Sequence, residues 1–62
     1  MSITIDIWNN LLKQGADPGH VLQQACDHEG HLDALPQSEE RDQEIREVVI
    51  FIKNLSKKIN KD

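Results

Sequence analysis

The residues best suited to chemistry in this chain lie together near its middle, in the segment CDHEGH at positions 26–31. Thiolate, imidazole and carboxylate groups all bind zinc, and side chains three or four residues apart on a helix face the same way. His28 and His31 have this spacing, and so do Asp27 and His31. Cys26 and His28 are only two residues apart, so a helix directs them to different faces. The segment therefore offers pairs of metal ligands but not a closed set of four.

A metal site would need more ligands than one chain supplies. The remaining histidine, His20, is isolated, and no second pair of ligands lies elsewhere in the sequence. Two chains could each contribute a pair, so a site built from Cys26, His28 and His31 across a dimer is kept as an alternative. We expect instead no metal and no cofactor, with Cys26 as a small buried side chain, which is the usual environment of a free thiol.

A cysteine near a histidine also raises the question of nucleophilic catalysis. Cys26 occupies an apolar position of its predicted helix, however, and the sequence offers no oxyanion stabiliser or pocket beside it. The sequence has no glycine-rich phosphate loop, no Walker pattern and no HExxH motif. A helical bundle this short also has little room to enclose a substrate. We therefore expect a binding protein and not an enzyme.

The longest element of the chain, on which the others must pack, is a helix predicted over about residues 38–59. Its apolar side chains recur at alternating steps of three and four residues, the period of a helix with one buried face: Ile45, Val48, Ile52, Leu55 and Ile59, with Val49 beside them. Ser38 is a favourable N-cap, and Pro36 prevents an earlier helix from running through. Acidic residues crowd the start of this helix and lysines its end, as the helix dipole favours: Glu39, Glu40, Asp42 and Glu44, then Lys53, Lys57, Lys58 and Lys61.

Two apolar side chains of this helix, Ile50 and Phe51, fall outside the buried stripe. Neighbouring helices of the same chain can cover them. Alternatively, they contact a second chain, because contiguous exposed apolar surface usually marks an interaction site. The prediction of a partner-binding site rests on Ile50 and Phe51.

The N-terminal segment fits two interpretations. Three isoleucines alternate with polar residues, as in a strand: Ile3, Ile5 and Ile7. Other apolar side chains have the spacing of a helix: Ile5, Trp8, Leu11 and Leu12. Because nothing else in the chain has a strand pattern, we predict a helix over about residues 4–14, capped by Thr4 and ended by Gly15, with Trp8 in the core or at its edge. Residues 1–3 are expected to be extended.

A second helix is predicted from Asp17, which caps it, with Pro18 in the first helical position. Its apolar side is formed by six residues: Val21, Leu22, Ala25, Cys26, Leu32 and Leu35. Gly30 leaves two alternatives. It lies within the helix at a cost of about 1 kcal/mol relative to alanine, so that the helix reaches Leu35, or the helix ends near Glu29. We favour the longer helix.

The 62 residues form a single small domain, and the pattern predicts an all-α fold of two or three helices arranged as an antiparallel hairpin or short bundle. In a chain below about 70–80 residues, one core rarely supplies more than ~3–5 kcal/mol of stability. A single cysteine cannot form an internal disulfide. Because the sequence has no long apolar run, we expect neither a signal peptide nor a membrane-spanning segment. We therefore expect a cytoplasmic protein without a membrane contact, supported by homodimerisation through the C-terminal helix.

Charge is distributed unevenly along the chain. Residues 1–47 carry ten acidic and three basic side chains, whereas residues 48–62 carry one acidic and four basic. An acidic body disfavours nucleic acid, whose recognition depends on clustered Lys and Arg. A helix-turn-helix-like nucleic-acid-binding domain around the 15–19 turn is kept as an alternative. The main prediction is a small acidic protein that acts by protein–protein interaction, as a regulator, inhibitor or adaptor. The residues do not indicate a known family.

Overall fold

Three helices account for most of residues 2–60, which are the residues that the computed structural model describes: α1 (Ile3–Lys13), α2 (Pro18–Asp33) and α3 (Glu39–Ile59). The described residues are 81% helical, contain no strand, and pack as a three-helix bundle. The prediction of an all-α fold is confirmed, and so is the choice of a helix for the N-terminal segment.

Thr4 was predicted to be the N-cap of α1, and this prediction is wrong because the N-cap is Ser2. Ser2 has an extended backbone (φ −97°, ψ 121°), and its hydroxyl oxygen accepts a hydrogen bond from the Ile5 amide at 3.3 Å. This bond satisfies an N–H group that has no partner inside the helix. The helix therefore begins at Ile3, one residue before the predicted start. Met1, which was expected to be extended, lies outside the described residues.

The turn between α1 and α2 depends on Gly15, which has a φ of 96°. The Ala16 amide donates to the Leu11 carbonyl at 3.0 Å, and the Gly15 amide donates to the Leu12 carbonyl at 3.1 Å. These two bonds form a Schellman motif, which satisfies the last carbonyls of a helix and favours glycine in the left-handed position. The predicted stop at Gly15 is confirmed.

Helix α2 begins as predicted, with Pro18 in the first turn and the Asp17 side chain accepting from the Gly19 amide at 3.3 Å. The helix passes through Gly30, as expected for the longer alternative, but ends at Asp33. Leu35 was predicted to pack in the core and is instead 42% exposed. The physical reason is Pro36, which disfavours helical backbone at the residue before it.

Helix α3 begins at its predicted cap, because the Ser38 hydroxyl accepts from the Arg41 amide at 3.1 Å. The Arg41 side chain also reaches back across the α2–α3 connection, with Nη1 at 3.5 Å from the carbonyl oxygens of both Leu32 and Asp33. A cation at the end of α2 is favourable because the C-terminal carbonyls carry partial negative charge. The two helices are thus joined at this end.

Most contacts between helices are made by α2 with α3, whereas α1 contacts each of them much less. The core consists of six buried residues from all three helices: Trp8, Val21, Ala25, Leu32, Val48 and Leu55. In the predicted stripe of α3, Ile45 and Ile52 are half-buried, but Ile59 is 41% exposed. Cys26 is exposed, so the prediction of a buried thiol is wrong. It is wrong because the buried face of α2 is narrower than the apolar spacing of the sequence indicates.

Charge follows the predicted polarity along α3. Three acidic residues lie in its first turn and two lysines in its last: Glu39, Glu40 and Asp42, then Lys57 and Lys58. Lys61, which was assigned to the same basic end, lies outside the described residues. Within residues 2–60, no helix has both the length and the apolar character needed to cross a lipid bilayer.

Candidate functional site

A groove of about 360 Å³ runs between α1 and α3 and is open to solvent along one side. One face of each helix lines it: Ile5, Asn9 and Leu12 from α1, and Glu47, Ile50, Phe51, Asn54, Leu55 and Lys58 from α3. A second depression of about 250 Å³ adjoins it near the start of α2 and shares Leu12, Leu55 and Lys58. The two together form one elongated surface.

Helix geometry explains which residues line this groove. On α1 the lining positions 5, 9 and 12 are spaced by four and three residues, so their side chains share one face. On α3 the same spacing connects Glu47, Phe51, Asn54 and Lys58. Because α1 contacts α3 much less than α2 does, the side chains of residues 2–60 leave an open space between α1 and α3.

Ile50 and Phe51, the two predicted partner-binding residues, have different environments. Phe51 is half-buried and packs on the Trp8 ring, with centroids 5.2 Å apart and planes inclined by 33°. Ile50 lies at the rim of the groove and is 58% exposed. Helix α1 of the same chain therefore explains the position of Phe51 but does not cover Ile50. The assignment of a partner to these residues stays a prediction.

A polar cluster lies beside Trp8. The His28 ring meets the edge of the Trp8 ring, with centroids 5.6 Å apart and planes at 82°. His28 Nε2 is 3.6 Å from Glu44 Oε2, and the buried Ser2 hydroxyl donates to that same oxygen at 2.8 Å. The cluster thus connects the cap of α1 with α2 and α3. It was missed by sequence reasoning, because its members are 16 to 42 residues apart and no local pattern relates them.

The segment singled out for metal chemistry is divided between two environments. His28 points toward Trp8 and Glu44, whereas Cys26 and His31 are exposed. His20, also exposed, lies 3.1 Å from the Gln24 amide nitrogen. Within the part of the chain that the structure describes, no three His, Cys, Asp or Glu side chains are placed to hold a metal ion. In a site shared between two chains, Cys26 and His31 are the exposed candidate ligands, whereas His28 is half-buried.

Two carboxyl groups on α2 are neighbours, those of Glu29 and Asp33, and Asp33 affects the ionisation of Glu29. A hydrogen bond with Asp33 raises the pKa of the Glu29 carboxyl above its ordinary value of 4.5, and loss of solvent and the negative charge of Asp33 act in the same direction. The two residues are four apart and so adjacent on the helix surface. They lie near the C-terminal end of α2, where the helix dipole also disfavours negative charge.

The groove is therefore the candidate site. Its floor is apolar, and its polar lining consists of two amides, Asn9 and Asn54, with one carboxylate, Glu47, and one ammonium, Lys58. Such groups can hydrogen-bond and pair with a polypeptide while the apolar floor removes its side chains from water. Comparison with protein-family models, with curated proteins and with solved structures gives no match for this chain.

Proposed function

We propose that the protein acts by protein–protein contact, as a small regulator, inhibitor or adaptor, and that the groove between α1 and α3 is its binding surface. The observation that carries this proposal is the position of Ile50, a large apolar side chain that is 58% exposed beside an apolar groove. Exposed apolar surface next to a concavity is typical of an interaction site. Ile50 can therefore contact a partner without any rearrangement of the core.

The shape of the groove suits a helix as ligand. An amphipathic helix binds such a surface by placing its apolar side chains into the depression, in positions three and four residues apart. Ile5, Leu12 and Leu55 provide the apolar contact. Asn9 of α1 and Asn54 of α3 also line the groove and are available to the polar edge of that ligand.

Neither alternative function has a comparable observation in its favour. Helix α2, which would follow the turn of a helix-turn-helix, carries acidic residues and no Lys or Arg, so phosphate contacts would be repelled. The metal alternative needs His28 as a ligand, but the His28 ring packs against Trp8 instead. The cytoplasm is the compartment that fits the proposal, because a reducing environment preserves an exposed thiol such as Cys26.

Site-specific photo-crosslinking in cells tests the proposal. A photoreactive amino acid is introduced at position 50 of the full chain, and at position 7 in a matched control. Ile7 is 52% exposed, close to the 58% of Ile50, but does not line the groove. Adducts of defined mass are expected from position 50 and not from position 7. Equal adducts from both positions, or none from position 50, would contradict the assignment of the groove.

A further inference from the structure

The charges at the two ends of the groove have opposite sign. Glu47 lies at one end and Lys58 at the other, on the same face of α3, with Ile50 and Leu55 between them. Within residues 2–60 neither Glu47 nor Lys58 forms an ion pair. Both charges are therefore available to a molecule that lies along the groove.

The whole of α3 repeats this polarity. From Glu39 to Glu47 it carries five carboxylates and two arginines, a net charge of −3, and from residue 48 to Ile59 it carries three lysines and no carboxylate, a net charge of +3. Two equal and opposite halves make the helix complementary to an antiparallel copy of itself. In a parallel arrangement like charges would face each other, which is unfavourable.

We propose that the occupant of the groove is helix α3 of a second copy of this chain, lying antiparallel to the first. This inference rests on the proposed function of the groove and names its partner. The contact is self-complementary, as in other twofold dimers. Antiparallel packing also places the positive end of each helix dipole beside the negative end of the other.

The register follows from the positions of the charges. A twofold axis that passes α3 midway between Phe51 and Asn54 sets Glu47 opposite Lys58 of the second copy, and Lys58 opposite the second Glu47. Along the helix axis Ile50 lies between Glu47 and Lys58, so the Ile50 side chain of each copy lies between the two ion pairs. The exposed Ile50 is thereby removed from solvent at the contact.

A dimer of standard size would use a modest share of the surface of each chain. A standard interface buries about 800 Å² on each partner, which is roughly one sixth of the 4684 Å² surface of the described chain. At about 1.5 Å per residue, the 21 residues of α3 extend for about 31 Å. A chain of this size also benefits from a partner, because its own core is small.

A charge exchange between the two ends tests the register. We would prepare Glu47→Lys, Lys58→Glu and the double variant, check their helicity by circular dichroism, and measure self-association by sedimentation velocity at low salt. The unchanged protein is expected to be a dimer, and each single variant to associate at least about tenfold more weakly because two ion pairs become repulsive. An equimolar mixture of the two single variants, and the double variant alone, are expected to recover dimerisation because opposite charges again face each other.

Two results would overturn the inference. A wild-type protein that remains monomeric up to about 1 mM has no self-association to explain. Single variants that dimerise as well as the unchanged protein place the contact elsewhere or make it parallel. The crosslinking experiment then separates the two proposals: adducts from position 50 to a different protein keep the groove as a binding surface, whereas no adduct at all removes its function as well.

Discussion

Trp8 of α1 packs against Phe51 of α3, with ring centroids 5.2 Å apart. The pair joins the helix that makes the fewest contacts to the longest helix of the bundle, and Phe51 also lines the groove. Because Trp8 and Phe51 are the sole aromatic residues among Phe, Trp and Tyr in the chain, tryptophan fluorescence reports on the contact between α1 and α3.

Truncation of Phe51 is expected to loosen α1. Removing a large core side chain costs about 3–5 kcal/mol when it is fully buried, and Phe51 is only half-buried, so Phe51→Ala should cost about 2–3 kcal/mol. Phe51→Leu keeps much of the volume and should cost less than about 1.5 kcal/mol. Urea unfolding followed by Trp8 fluorescence measures both. Unchanged stability in Phe51→Ala would show that the Trp8–Phe51 pair does not hold α1 in place.

Ile50→Asp is expected to abolish association while the helical content stays largely intact, because the side chain is mostly exposed in the single chain. Sedimentation and circular dichroism measure these two properties on the same sample. Ile7→Asp is the matched control, since Ile7 is also more than half exposed but lies away from the groove. Unfolding of Ile50→Asp would place Ile50 in the internal core, and equal loss of association in Ile7→Asp would indicate nonspecific apolar contact.

Glu44 is expected to stabilise the bundle through its bond with the buried Ser2 hydroxyl. Glu44→Ala leaves that hydroxyl without its acceptor and should lower the free energy of unfolding by about 1–2 kcal/mol. Glu44→Gln retains an acceptor oxygen and should cost less. Gln43→Ala, at an exposed neighbouring position, should remain within about 0.5 kcal/mol of the unchanged protein. If Glu44→Ala behaves like Gln43→Ala, the Ser2 bond contributes nothing.

The raised pKa of Glu29 predicts a pH dependence. Its hydrogen bond with Asp33 makes the folded state hold a proton more tightly than the unfolded state. This carboxyl therefore contributes a loss of stability as the pH rises from the ordinary pKa of 4.5 through the raised value. Glu29→Gln removes the titration, so the variant should gain stability relative to the unchanged protein as the pH increases over that range. Parallel urea titrations at several pH values measure the difference, and two curves with the same pH dependence would contradict it.

Two glycines give alanine substitutions of opposite sign. Gly15 has a φ of 96°, where a Cβ atom is strained although the space around it is open, so Gly15→Ala should destabilise the protein by about 1–2 kcal/mol. Gly30 lies within α2 and an added Cβ meets nothing within 4 Å. Gly30→Ala should therefore stabilise by up to about 1 kcal/mol. Thermal unfolding of both variants checks the prediction, which fails if the two shifts have the same sign.

The amino-acid sequence by itself determined where α1 ends and where α2 and α3 begin. Ser38, the Asp17–Pro18 pair and Gly15 each act through hydrogen bonds or backbone angles within a few residues. Such interactions are local, so their chemistry can be recognised without knowing the fold. Ser2 and Thr4 both have a hydroxyl group that can cap α1, so local chemistry alone did not decide between them.

Only the tertiary structure decided which apolar side chains are buried and which groups meet across the bundle. Cys26 and Ile59 have helix spacing consistent with burial, yet both are exposed, because burial depends on where two helices cross and not on the period of one. Ser2 and Glu44 lie 42 residues apart and meet only because α1 packs beside α3. The groove arises for the same reason: it is the space between two helices that touch at few points, and no segment of the sequence contains it.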